Sequence, residues 1–68
     1  MVDTSALKGI IVSRDKTQED VAYEIGITPK TFYTKMKKGV FGSNEIEKMI
    51  DYLNIEDPVA IFFAKKVN

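Results

Sequence analysis

Neither cysteine nor histidine occurs in this 68-residue chain. Their absence removes disulfides, thiolate chemistry, the usual zinc ligand sets and the side chain best suited to proton transfer near neutral pH. A phosphate-type glycine loop is also missing, and no carboxylate pair comes with an identifiable pocket, so neither an enzyme nor a cofactor is expected. Long apolar runs are lacking too. None approaches the roughly 18 residues that span a bilayer, and no charged-then-apolar segment opens the chain, so a membrane is not expected and the location is read as cytoplasmic. Finally, there is no net charge, because ten Lys and Arg balance ten Asp and Glu.

What is present fits one folded domain over residues 1–68. The hydrophobic share of 44% beside 29% charged residues lies well away from the polar composition of disordered chains. The zero charge hides a separation. Lys30, Lys35, Lys37 and Lys38 fall between Gly26 and Asn44 without an acid, whereas Glu19, Asp20 and Glu24 precede them and Glu45, Glu47 and Asp51 follow. A lysine-bearing patch can face phosphates while acidic surface elsewhere keeps the sum neutral; as a bare charge run, it reads equally well as a solvated helix face.

Turn signals at Asp15-Lys16, Gly26, Gly39 to Asn44 and Asn54 to Pro58 divide the chain into five helical segments. The first spans about Ser5 to Ser13, capped by Asp3 or Thr4, with Leu7, Ile10 and Ile11 at helical spacing. Thr17 caps the second with Asp20 three residues on, close to a capping box, and Val21, Ala22 and Ile25 form its apolar stripe up to Gly26. Thr28-Pro29 restarts a helix at once, running to Lys37 and anchored by Phe32 and Met36. The fourth begins near Asn44, with Glu47 completing a capping-box pattern, and buries Ile46, Met49, Ile50 and Leu53. Asp57-Pro58 opens a last turn carrying Val59, Ile61, Phe62 and Phe63, and residues 65–68 read as a tail. Tyr23 is expected to lid the core. Of Phe62 and Phe63, either one ring completes the core with the other exposed as a dimer contact, or both fold over the fourth helix.

Two short helices joined by a tight glycine turn make a helix-turn-helix, and Gln18 to Met36 supplies every part of one. The stretch Thr17-Gln-Glu-Asp-Val-Ala-Tyr-Glu-Ile-Gly-Ile-Thr-Pro-Lys-Thr-Phe-Tyr resembles the lambda repressor/Cro family, especially small Cro-like regulators of phages and prophages of Gram-positive bacteria. The likeness extends to Leu7-Lys8-Gly9-Ile10-Ile11, to Asn44–Leu53 and to Phe62-Phe63, and it implies an all-α, compact five-helix domain with its motif at about 17–38.

By that resemblance, the chain is a transcriptional regulator that binds a double-stranded DNA operator, as a homodimer. Gln18 bonds a phosphate, Pro29, Lys30, Thr31, Tyr33 and Thr34 lie where the family reads bases, Lys37 and Lys38 lie near the backbone, and Thr28 at the head of the helix joins the DNA-binding set. The sequence departs from the family twice. Pro29 stands where relatives often carry a hydrogen-bonding residue, and Lys35 stands at a commonly apolar position, its packing role passing to Met36. The competing expectation is a protein-interaction module of the same fold that binds another regulator, as an antirepressor would.

Overall fold

The computed structural model describes residues 1–63. Five helices follow one another, α1 (Thr4–Ser13), α2 (Gln18–Ile25), α3 (Pro29–Lys38), α4 (Ser43–Leu53) and α5 (Pro58–Phe62), and no strand occurs among the described residues. The tail expected at 65–68 lies outside them. None of the helices is long and apolar enough to cross a membrane.

Local chemistry accounts for most helix starts. Asp3 Oδ1 accepts the Ala6 N–H at 3.0 Å, and Thr28 Oγ1 accepts that of Thr31 at 3.2 Å. Thr17 and Asp20 form a reciprocal pair: Thr17 Oγ1 accepts the Asp20 N–H at 3.0 Å while Asp20 Oδ2 accepts the Thr17 N–H at 2.9 Å. The fourth start corrects the expectation of an Asn44–Glu47 box. Gly42 is the N-cap, and Glu45 reaches back so that its Oε1 accepts the Gly42 N–H at 2.8 Å. Glycine has no side chain to announce a cap, and Glu45 stands three residues after it just as Glu47 stands after Asn44.

The first four helices end alike, with a left-handed residue followed by a 6→1 hydrogen bond. The Lys16 N–H reaches the Ile11 carbonyl, Ile27 reaches Ala22, Val40 reaches Lys35 and Ile55 reaches Ile50, all at 3.0–3.2 Å. The left-handed residues on either side of α3 are glycines, Gly26 (φ 86°) and Gly39 (φ 71°). The ends of α1 and α4 use Asp15 (φ 57°) and Asn54 (φ 50°) instead.

Helix α2 is the centre of the assembly, packing chiefly against α3 and α4, while α1 packs against α2 and α5. Leu7, Val21, Ala22, Phe32, Met49 and Leu53 are wholly buried. Phe62 joins the core while Phe63 remains 60% exposed, so the two rings do not both fold over α4. Ile46 and Ile50 are only partly buried, so the expected four-residue stripe of α4 narrows to Met49 and Leu53 at its centre. Tyr23 is 68% exposed and does not lid the core, because Val21, Ala22 and Ile25 already turn the opposite side of α2 inward.

Among the described residues, three buried side chains lie outside the helices: Val2, Phe41 and Ile55. Phe41 tilts against Phe32 with ring centroids 5.4 Å apart. Backbone and side-chain ties close the fold over long separations in sequence. The Val2 N–H donates to the Gly39 carbonyl at 3.0 Å and the Asp3 N–H to the Ile61 carbonyl at 2.7 Å. Arg14 donates through Nε to the Leu53 carbonyl and through Nη2 to that of Asn54, satisfying the end of α4.

Candidate nucleic-acid interface

The connection from α2 to α3 is three residues, Gly26-Ile27-Thr28. Gly26 permits the reversal and Ile27 packs partly buried against the core. Thr28 has its hydroxyl committed on both sides, accepting the Thr31 N–H and donating to Thr31 Oγ1 at 2.9 Å. It serves as the cap that fixes where α3 begins. Pro29 then occupies the first helical position, half-buried.

Helix α3 is pinned from one side only. Phe32 and Met36 are its buried residues, and the 100° step of the helix turns Lys30, Thr31, Thr34, Lys37 and Lys38 to the far side, where all five are exposed. The Thr34 hydroxyl donates to the Lys30 carbonyl at 3.1 Å, which uses its proton and leaves its oxygen only able to accept. Tyr33 is 48% exposed on one flank, its ring edge-on to Phe32.

Lysine 35 leaves the basic set. Its Nζ donates to both oxygens of Glu45, at 2.8 and 2.7 Å, and the pair ties α3 to the start of α4. Burial alone would raise the Glu45 pKa, but the hydrogen bonds from Lys35 and Gly42 and the charges of Lys35 and Lys48 outweigh it and hold the carboxylate below its ordinary value. Glu45 is thus an acid of the first turn of α4, as its place in the sequence suggests, but it is paired and not part of the free acidic surface. At the head of α2, Asp20 is likewise held low, first by the Thr17 N–H and then by the Thr17 hydroxyl.

Two grooves flank the exposed ridge of α3. One, of about 480 Å³, is bounded by Lys30, Thr31, Thr34, Lys35 and Lys38 on the helix and by Val40, Phe41 and Gly42 beyond it. The other, of about 470 Å³, lies between Tyr33, Met36 and Lys37 of α3, Gln18 of α2, and Thr4 and Lys8 of α1. Every residue singled out from the sequence therefore lies on α3 or at its two approaches, with Gln18 half-buried at the first position of α2. Sequence reasoning missed Thr4 and Lys8. Their four-residue spacing put both on one helical face, but nothing local tied that face to α3. Among the described residues, no three His, Cys, Asp or Glu side chains gather closely enough to hold a metal ion.

No protein-family model, no curated protein and no solved structure matches this chain.

Proposed function

We propose that this protein is a sequence-specific regulator that binds double-stranded DNA through a helix-turn-helix of the lambda repressor/Cro type, with α2 and α3 as its two helices. The observation that carries the reading is the exposed ridge of α3. Lys30, Thr31, Thr34, Lys37 and Lys38 project from a helix anchored by Phe32 and Met36, and Glu45 at the start of α4 is paired with Lys35. An α-helix is about 10–12 Å across, which matches a major groove about 12 Å wide.

The roles follow from chemistry. Lys30 donates to guanine acceptors or to phosphate, and Thr34 offers its methyl to thymine or its lone pairs to a base amino group. Pro29 has no N–H and gives apolar contact only. Gln18, Lys37 and Lys38 bond backbone phosphates and set the register. Binding as a homodimer on two half-sites about one helical turn apart completes the proposal.

The test is a titration of isotope-labelled protein with a mixed-sequence duplex at low salt, followed through backbone amide shifts and then reversed with salt. Shifts at Gln18 and along 28–38 are expected, and Lys30→Ala and Thr34→Ala should each weaken binding with the fold intact. A folded spectrum without those shifts would overturn the proposal in favour of a regulator-binding module of the same fold.

A further inference from the structure

An apolar residue follows each of the left-handed turns that end α2, α3 and α4, and in this motif it ordinarily packs back against the last turn of the helix it has just left. Ile55 is buried and Ile27 half-buried, but Val40 is 62% exposed. The difference lies in Lys35, which accepts the Val40 N–H. It stands where the motif calls for an apolar partner and ends in an ammonium bonded to Glu45. Val40 and Phe41 thereby form an apolar wall of the groove of about 480 Å³ beside α3. The facing wall is a side of α3 two turns long, with Lys30 and Lys38 at its ends. Both are exposed, and neither ammonium pairs with another described residue. Between them, the Thr34 proton is spent on the Lys30 carbonyl and Lys35 on Glu45. The lining holds no carboxylate. What the groove offers is therefore two free positive charges, about 12 Å apart along the helix, and an apolar wall without cover.

We propose that this groove is a docking site for an acidic protein segment, which lays one apolar side chain on Val40 and Phe41 between two carboxylates that meet Lys30 and Lys38, and that the docked segment keeps DNA off α3. A helix with acids two turns apart and an apolar residue one turn from each spans the same distance and carries all three on one side. Covering Val40 removes apolar surface from water, and the two ion pairs at the rim fix register. A nucleic-acid backbone brings charge at every phosphate but no aliphatic side chain for the apolar wall, so the groove suits a protein partner better than it suits DNA. Lys30, Thr34 and Lys38 also belong to the ridge assigned to DNA, so the two ligands compete. Docking stands on the groove alone; the exclusion of DNA rests on the DNA-binding reading.

The probe is a blocked alanine-rich peptide, about 15 residues long so that it forms a helix in water, with two glutamates about two turns apart and a leucine midway. It is titrated into the isotope-labelled full chain and, separately, into the chain bound to a fluorescent mixed-sequence duplex. Amide shifts concentrated in 30–42 and release of the duplex are expected. Val40→Ser should weaken the peptide about fivefold and leave duplex affinity unchanged, since Val40 is not among the proposed DNA contacts, whereas Lys38→Gln should weaken both. A peptide with glutamines for its glutamates should bind more weakly by a similar factor. Thermal melting confirms that each variant is folded. No shifts in 30–42 up to about 1 mM peptide, wild-type peptide affinity in Val40→Ser, or undiminished binding of the glutamine peptide would overturn the site. Peptide binding without release of the duplex would overturn the exclusion of DNA. Peptide binding by a chain that binds no duplex would overturn the DNA-binding reading and leave the docking site in place.

Discussion

Helices α2 and α3 are neighbours in sequence, similar in length and joined by three residues, but they divide their surfaces in opposite ways. Helix α2 turns Val21, Ala22 and Ile25 inward and is packed by both α3 and α4, and its outward side carries Glu19, Tyr23 and Glu24. Helix α3 spends only Phe32 and Met36 on the core and shows solvent a set of lysines and threonines. The contrast separates holding from presenting. The outer face of α2 is acidic beyond Gln18, while α3 hangs from two buried side chains, two glycine turns and the Lys35–Glu45 tie and keeps its remaining lysines and threonines exposed.

The strongest way to break this comparison is to remove the anchor. Phe32→Ala should cost about 3–5 kcal/mol, a large part of the roughly 5–15 kcal/mol that holds a domain folded, read as a fall in the urea midpoint. A loss below about 1 kcal/mol would mean that α3 is held by something other than Phe32. Next come the turns. Gly26→Ala meets nothing within 4 Å, so its cost is conformational alone, about 1–2 kcal/mol for an L residue at positive φ. Asp15→Gly and Asn54→Gly should shift stability upward, by up to about 1 kcal/mol, because those left-handed positions lack glycine now.

The tie between α3 and α4 is smaller in effect and depends on pH. Folding holds Glu45 below its ordinary 4.5, so the Lys35 pair contributes fully above that value and is lost as pH falls through the lower, folded value. Lys35 is about a third exposed, so the pair is worth at most about 1 kcal/mol. Glu45→Gln should therefore flatten part of the acid limb of a stability profile and change less at pH 3 than at pH 7. Smallest of all is Tyr23→Ser, expected within about 0.5 kcal/mol and without effect on DNA affinity, since the ring lies on the supporting helix and is largely solvated.

What was legible in the sequence is what short-range chemistry decides. The Thr17–Asp20 reciprocal cap, the turn at Gly26, the restart at Thr28-Pro29 and the Phe32–Met36 anchor each involve residues within four positions of one another, and the structure has all of them. The exposed set of α3 was legible for the same reason, as the residues left over when the anchor is fixed. Val2, Phe41 and Ile55 were not, because single apolar residues in connecting segments carry no period and are buried only by what folds over them. The Lys35–Glu45 pair escaped because it joins two helices, and once it was overlooked both residues read as free charges. Thr4 and Lys8 stayed hidden likewise, since only the packing of α1 beside α2 brings them to Tyr33 and Lys37.

The amide of Asp3 finds its acceptor on Ile61 and that of Val2 on Gly39. The Asp3 bond, which reaches as far as Ile61, closes a much longer loop than the short-range caps of α2 and α3. Contacts of that separation form slowly, so the start of α1 is fixed by distant chain while α2 and α3 are framed by their neighbours, and a chain cut before Ile61 would leave the Asp3 amide without this acceptor.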